Sequence, residues 1–255
     1  MRLTSIPRLI RQTFLSLSLA LPLTGHAAPE EIQVYMDEFA KAGEFGLDLH
    51  TIYVATTQSD RQLPYHQLRV TPELSYRVTD YVEAAAYFLS NSSPGSNPQT
   101  DGVNLRMRWR PIVPTEEAAW YTAVNIEVGR LARRFNGDRS NGEIKGILSW
   151  KSGNWRSGLN LNIDRPLKRA AVTPTTVELD SKLAYQIHEE LSFGIEHYAF
   201  LGPLHGRTEI AAPSRSTFFV TDFSLAKWDI HFGMGQARGA VPDKLIFKAI
   251  IGVPI

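Results

Sequence analysis

Cysteine is absent from the 255-residue sequence. Its absence excludes disulfide scaffolds, thiolate zinc sites and cysteine nucleophiles together. No charge of one sign predominates, because 27 basic residues are matched by 26 acidic ones, so the sequence does not predict nucleic acid as a partner. Beyond the N-terminal region there is no stretch of about 20 consecutive apolar residues, which excludes a mature membrane protein built of helices.

The N-terminal region has the pattern of a cleaved secretory signal peptide. Residues 1–11 carry three arginines and no acidic residue, and Thr13–Leu23 is an apolar run of signal-peptide length. Small residues within 25–28 then provide a cleavage site. No cysteine follows the run, so a lipoprotein is excluded. We therefore expect residues 1–28 to be a signal peptide that directs export from the cytoplasm.

A short segment separates the signal peptide from the rest of the chain. In residues 29–43 the apolar side chains of Ile32, Val34 and Met36 alternate with other residues, which favours an extended conformation over a helix. We expect this segment to be extended and to lie in the periplasm. The folded part would then comprise residues 44–255.

From residue 44 onward, short segments alternate apolar with polar residues and are bounded by turn-forming residues. In one of them Val103, Leu105 and Met107 alternate with polar neighbours. A β-strand places two such sets on opposite faces. About twelve segments follow this pattern, at residues 44–56, 66–78, 81–91, 102–111, 118–131, 142–151, 154–164, 175–186, 190–201, 215–224, 227–236 and 243–255.

The connections between these segments alternate in length, which decides the architecture. Short joints such as Thr79–Asp80 and His188–Glu189 alternate with longer stretches such as Ser92–Asp101 and Gly202–Ser214. Outer-membrane barrels combine short periplasmic turns with long extracellular loops, an even strand number and periplasmic termini, whereas soluble β-sandwiches need no such asymmetry. The sequence therefore predicts an all-β fold, a closed antiparallel transmembrane β-barrel of about twelve strands with long extracellular loops and short periplasmic turns.

The tryptophans provide an independent indication of a membrane. All five fall in the apolar phase of their strands and at the same end of the predicted barrel. Amphipathic aromatic rings favour the headgroup layer, where they form a girdle. The predicted girdle consists of Trp109, Trp120, Trp150, Trp155 and Trp228, together with Tyr76 and Tyr185.

The polar phase of the strands carries many charges of both signs. A charge facing lipid at mid-membrane costs roughly 2–4 kcal/mol, so these residues are expected to face the lumen. A turn at residues 79–81 would place Arg77 opposite Glu83. Such a ladder either seals a narrow lumen with ion pairs or lines a polar constriction on a solute path. The predicted ladder consists of Arg69, Glu73, Arg77, Glu83, Arg106, Arg108, Arg110, Glu127, Lys145, Arg156 and Asp164.

The sequence offers little evidence of catalysis. It contains no H-E-x-x-H, G-x-S-x-G or P-loop motif, and the histidines are scattered. His50 and His197 could lie near an outer rim, with Asp48 close to His50, as in barrels that process lipids. Any barrel strand can produce such a coincidence, so no enzyme activity, cofactor or metal is predicted.

Several short motifs recur along the strands. The stretch Val70–Asp80 has the form P-E-x-x-Y-x-x-T-D, and further motifs lie at Arg106–Arg110, Asn125–Gly129, Leu161–Asp164 and Lys248–Ile255. They resemble a hairpin and later strands of outer-membrane proteins grouped as the "MetA-pathway of phenol degradation" family. The resemblance implies passage of small, often apolar or aromatic compounds through the outer membrane, and it supplies no catalytic residues. One departure is the final Ile255, where barrel-assembly signals commonly end in an aromatic residue.

We therefore expect a channel for small solutes in a bacterial outer membrane. A non-conducting structural barrel with a salt-bridged lumen is the alternative, and an outer-membrane lipid-processing enzyme is a third hypothesis. The expected partners are outer-membrane lipid, the barrel-assembly machinery during biogenesis, and a small-molecule solute that the sequence does not identify.

Overall fold

The computed structural model describes most of the chain from residue 32 to the C-terminus. The described residues are 32–36, 39, 42–56, 66–92, 97–113, 115, 118–132, 139–167, 174–205, 214–238 and 244–255. The predicted signal peptide at 1–28 lies outside them. No helix within these residues is long and apolar enough to cross a membrane.

The described chain forms twelve strands. Each differs from its predicted segment by only a few residues at either end. The strands are β1 (Phe45–Thr56), β2 (His66–Arg77), β3 (Val82–Ser92), β4 (Gln99–Trp109), β5 (Trp120–Leu131), β6 (Ser140–Ser152), β7 (Trp155–Pro166), β8 (Thr176–His188), β9 (Leu191–Pro203), β10 (Arg215–Leu225), β11 (Trp228–Arg238) and β12 (Lys244–Pro254).

The sheet closes on itself. Each strand pairs antiparallel with its neighbours in sequence, and β12 returns to pair with β1, for example at Leu49 and Ile251. Closure leaves no strand edge, so every strand has hydrogen-bonding partners on both sides. The prediction of a closed antiparallel barrel of about twelve strands is confirmed.

The two faces of the wall are reversed relative to a soluble barrel. Large apolar side chains lie outside, where Leu105 is 55% exposed and Phe219 is 68% exposed. Polar side chains lie inside, where Asn125 and Glu196 are fully buried. An outer surface of this kind requires an apolar solvent, which a lipid bilayer supplies.

Four of the five connections at one end of the barrel are short turns, at residues 78–81, 153–154, 189–190 and 226–227, and the fifth, between β4 and β5, spans residues 110–119. Gly153 has a φ of +54°, a left-handed conformation that glycine adopts without strain. The predicted long loops at the opposite end fall largely outside the described residues. The end with the short turns is called the tryptophan rim below, because it carries Trp109, Trp120, Trp150, Trp155 and Trp228.

Aromatic side chains pack against one another along the outside of this rim. The Trp120 and Trp150 ring centroids are 6.1 Å apart, and Trp155 meets Tyr185 edge to face at 5.0 Å. Tyr76 stacks on the ring of Phe45 at 4.6 Å. Trp109 and Trp228 are both 47% exposed. The predicted girdle residues therefore share one face and one end of the barrel.

The N-terminal segment lies inside the barrel. The backbone N–H of Tyr35 donates to Asn160 Oδ1 at 2.7 Å, and Asn160 Nδ2 donates to the Tyr35 carbonyl at 2.9 Å. Because Asn160 is a fully buried, inward-facing residue of β7, the predicted periplasmic location of residues 29–43 is wrong for residues 32–36. The physical reason is that their apolar side chains find apolar partners in the lumen, which water would not offer.

Strand β12 closes the barrel, so its removal tests the fold. Deleting residues 251–255 removes backbone pairs to both β1 and β11 and leaves edges that are costly in lipid. We expect the truncated chain to fail to refold into lipid vesicles, measured as loss of heat-modifiable migration in gels. Deleting only Ile255, which lies beyond the strand, is the control and should leave the barrel intact. Normal refolding of the longer truncation would contradict this closure.

Candidate functional site

The structure places all of the predicted ladder residues on the lumen side of the wall. Arg156 and Asp164 are partly exposed near the two ends of β7, and the others are buried. The buried members are Arg69, Glu73, Arg77, Glu83, Arg106, Arg108, Arg110, Glu127 and Lys145.

Arg106 forms the centre of one ion-pair network. Its Nη2 lies 2.7 Å from Glu73 Oε1 and 2.7 Å from Glu83 Oε1. Glu73 is also joined to His50, whose Nε2 lies 2.9 Å from Glu73 Oε2. All four side chains are buried, and a buried guanidinium is tolerated only when carboxylates compensate its charge. The network therefore fixes the relative positions of β1, β2, β3 and β4.

The turn between β2 and β3 has the register expected from its sequence. Arg77 is paired with Glu83 across the two strands, and the Val78 backbone N–H donates to the Val82 carbonyl. The Arg77 guanidinium also reaches Asp80 Oδ1 at 2.8 Å. It thus ties the ladder to the turn at the tryptophan rim.

A second ion-pair network lies on β8 to β12. Lys248 donates to the carboxylate of Glu196, and Lys182 Nζ lies 2.9 Å from Asp222 Oδ2. His231 Nδ1 lies 2.6 Å from Asp222 Oδ1. These residues belong to the polar phase of the sequence, but sequence reasoning did not group them, because their contacts depend on the register of five strands.

Tyr35 occupies the space between the basic side chains of the lumen. Arg106 Nη1 donates to the Tyr35 hydroxyl at 2.8 Å, which also shares a hydrogen bond of 2.8 Å with the hydroxyl of Tyr87. Arg108 and Lys145 lie over the ring, at 4.3 and 4.6 Å from its centroid. Desolvated cation–π contacts of this kind contribute up to about 2 kcal/mol each. Tyr35, which is only 1% exposed, is thus bound through both its ring and its hydroxyl.

One wall of the lumen is apolar where it meets the N-terminal segment. Ile32 and Val34 pack against inward-facing side chains of four strands. Gly235 leaves space for the ring of Phe218, since a Cβ at position 235 would lie 2.4 Å from Phe218 Cδ1. The apolar wall consists of Ile52, Val54, Tyr198, Phe218, Val220 and Ile246.

The N-terminal segment therefore fills the lumen along much of its length. At the apolar wall, Lys248 Nζ donates to the Ile32 carbonyl at 2.9 Å. Phe39 lies closer to the tryptophan rim, and the Arg110 guanidinium is 4.5 Å from the centroid of the Phe39 ring. We call residues 32–36 with Phe39 the plug segment. Sequence reasoning missed it, although apolar residues in the inward phase of β1 and β10 were a signal that something apolar lies inside.

The two histidines considered for catalysis do not come together. His50 is a buried lumen residue in the middle of β1, whereas His197 lies on the outer face of β9, with its Nδ1 2.9 Å from Thr217 Oγ1. The expectation that both lie near an outer rim is wrong for His50, and the wall of the barrel separates the two side chains. Within the described residues no group of three His, Asp or Glu side chains is placed to hold a metal ion.

Comparisons with known proteins support the fold. No protein-family model matches the sequence, and no curated protein is significantly similar to it. Solved structures similar to the chain include the NanC porin (TM-score 0.58, 11% identity, covering 82% of this chain and 100% of that one). An outer-membrane channel from Pseudomonas putida F1 has a TM-score of 0.57 at 13% identity, covering 88% and 100%. The CymD monoaromatic hydrocarbon channel has a TM-score of 0.50 at 6% identity, covering 84% and 89%.

At these identities the likeness establishes the fold and not the solute. The chain has the twelve-stranded barrel architecture of outer-membrane channels. Because no family model matches, the resemblance to the phenol-degradation family stays a prediction.

A double-mutant cycle can test how much the two carboxylates that pair with Arg106 contribute to stability. Glu83→Gln leaves Glu73 in place, so we expect the free energy of unfolding in vesicles to fall by about 1–3 kcal/mol. Combining it with Glu73→Gln should cost more than the sum of the single changes, because Arg106 then loses both carboxylates. Asp80→Asn, at an ion pair whose carboxylate side chain is 62% exposed, is the control and should cost less than about 1 kcal/mol. Strict additivity in urea titrations would argue against a shared network.

Proposed function

We propose that this protein is a channel for small solutes in a bacterial outer membrane, and that the plug segment closes it. The observation that carries the proposal is the lumen itself, a charged and apolar interior running through a closed barrel with a separate piece of chain inside it. The porin and channel folds that the chain resembles support this reading.

The attachments of the plug segment suit a displaceable element. Side chains of the wall hold it through hydrogen bonds, from Asn160 to the Tyr35 backbone and from Lys248 to the Ile32 carbonyl. The Tyr35 hydroxyl adds hydrogen bonds with Arg106 and Tyr87. The plug segment shares no backbone ladder with any strand, since residues 32–36 belong to no strand. Removing it therefore leaves the backbone pairing between the strands complete, whereas removing a strand does not.

The lumen favours solutes that combine an apolar body with a polar group. Once the plug segment leaves, Phe218 and Ile246 on one side face Arg108 and Lys145 on another. At the tryptophan rim, a cavity of about 220 Å³ beside Met36 is already present. This chemistry agrees with the small apolar or aromatic compounds implied by the family resemblance and with the monoaromatic hydrocarbons of the CymD channel.

We propose that the tryptophan rim lies at the periplasmic side, because outer-membrane barrels have their short turns there. The opposite rim then faces the exterior. Export by the signal peptide at residues 1–28 belongs to the same proposal.

A non-conducting barrel remains the second candidate. The ion pairs of Arg106 and of Glu196 bridge several strands within the lumen, and they would seal it even without the plug segment. An enzyme has no comparable support, because His50 and His197 lie on opposite faces of the wall.

A reversible cross-link separates these candidates. A Cβ on Gly158 would lie 3.2 Å from Met36 Cγ, so the M36C/G158C variant can form a disulfide between plug and wall. The chain has no native cysteine to interfere. In planar bilayers we expect the oxidised variant to show no openings, and the reduced variant to conduct like the unmodified chain. A variant lacking residues 32–41 should conduct continuously and admit small aromatic compounds faster than sugars of equal size in liposome assays.

The single variants M36C and G158C are the controls and should not respond to reductant. Absence of conductance in the reduced variant and in the plug deletion, with both barrels folded by gel migration, would refute the channel and favour the sealed barrel. Equal conductance of oxidised and reduced M36C/G158C would refute the plug.

A further inference from the structure

The outward face of the barrel carries charge of one sign at one end. Among the strand residues whose side chains the structure describes, each outward-facing Asp, Glu, Lys or Arg is an arginine. All of them are exposed, and all lie at the ends of their strands that are opposite the tryptophan rim. They are Arg130 on β5, Arg165 on β7, Arg215 on β10 and Arg238 on β11.

Two of these arginines are direct cross-strand neighbours. Arg215 of β10 is paired with Arg238 of β11 in the sheet register, so their side chains leave the same face about 5 Å apart. Like charges placed directly opposite each other destabilise a sheet pair. An anion between the two guanidinium groups removes that repulsion, and the planar fork of arginine binds the paired oxygens of phosphate and carboxylate groups in a bidentate manner.

Polar residues continue beneath this pair. Thr217 and Gln236 are the next outward-facing pair on the same strands, and His197 is hydrogen-bonded to Thr217 at 2.9 Å. The following outward pair, Phe219 and Met234, is apolar. We call Arg215, Arg238, Thr217, Gln236 and His197 the outer-rim patch.

We infer that the outer-rim patch binds the phosphorylated glycolipid of the outer leaflet, with its phosphate between Arg215 and Arg238. The patch lies where the apolar surface of the barrel ends, which is the depth at which a lipid exposes its phosphate groups. Its hydroxyl, amide and imidazole groups accommodate the sugar to which such phosphates are attached. The inference rests on the outer-membrane orientation proposed above and not on solute transport.

The charge pattern favours this occupant over a protein partner. The lumen and the turns carry both signs, whereas the outward faces of the strands, as far as the structure describes their side chains, carry none of the acidic residues that a self-complementary interface would pair with arginine. A surface that offers arginine alone complements a leaflet whose headgroups are anionic.

The test measures lipid A binding to the full barrel in detergent micelles by native mass spectrometry. We expect bisphosphorylated lipid A to bind the unmodified chain and dephosphorylated lipid A to bind at least about tenfold more weakly. R215Q/R238Q should lose at least about tenfold in affinity for the bisphosphorylated form, and R215K/R238K should lose less because the charge remains. Lys227→Gln, in the exposed turn at the other end of the same hairpin, is the matched control and should bind normally.

Four outcomes would overturn the inference. They are unchanged binding by R215Q/R238Q, equal binding of dephosphorylated lipid A, displacement of the lipid by equimolar inorganic phosphate, and a dimer of the unmodified chain that R215Q/R238Q converts to monomers. If the double variant does not show heat-modifiable migration, the single variants R215Q and R238Q replace it, each with an expected loss of about fivefold.

Conductance measured on the same preparation separates this inference from the proposed function. Lipid A binding without conductance supports the patch and refutes the channel. Conductance without specific lipid A binding refutes the patch and leaves the channel in place.

Discussion

Closure of the sheet is the constraint on which the rest of the structure depends. A backbone in lipid has no water to satisfy its N–H and C=O groups, so the twelve strands must pair in a ring, and β12 must find β1. A ring has an inside and an outside, and alternate residues of every strand are assigned to one or the other. The outside must be apolar, and every charge that the strands carry away from the rims is thereby forced into a narrow interior.

A narrow interior filled with charges creates its own requirement for pairing. Arg106 is held by Glu73 and Glu83, and Glu196 is held by Lys248, since an uncompensated buried charge would cost several kcal/mol. These networks cross strands that are distant in sequence, so they brace the barrel from within. Tyr35 fills the space between these networks. Its ring lies under the Arg108 guanidinium, and its hydroxyl accepts a hydrogen bond from Arg106.

The strands could be predicted from the sequence because a period of two is a local property, and the tight turns then fixed registers such as Arg77 with Glu83. The plug segment could not be predicted in the same way. Its short alternation of Ile32, Val34 and Met36 is equally suited to a free extended segment. The missing information was non-local, because the apolar inward residues Ile52 and Phe218 have no explanation within their own strands and become intelligible only when Ile32 and Val34 cover them.

The outer surface of the barrel carries different side chains at its two ends, where it meets the lipid headgroups. At the tryptophan rim, pairs such as Trp120 and Trp150 present rings whose polar edges suit a headgroup layer without selecting its charge. At the opposite rim, Arg215 and Arg238 present charge, and the outward faces of the described strands carry no acidic side chain. If the outer-rim patch binds a phosphorylated glycolipid, as inferred above, the difference between the two rims matches a difference between the lipids of the two leaflets.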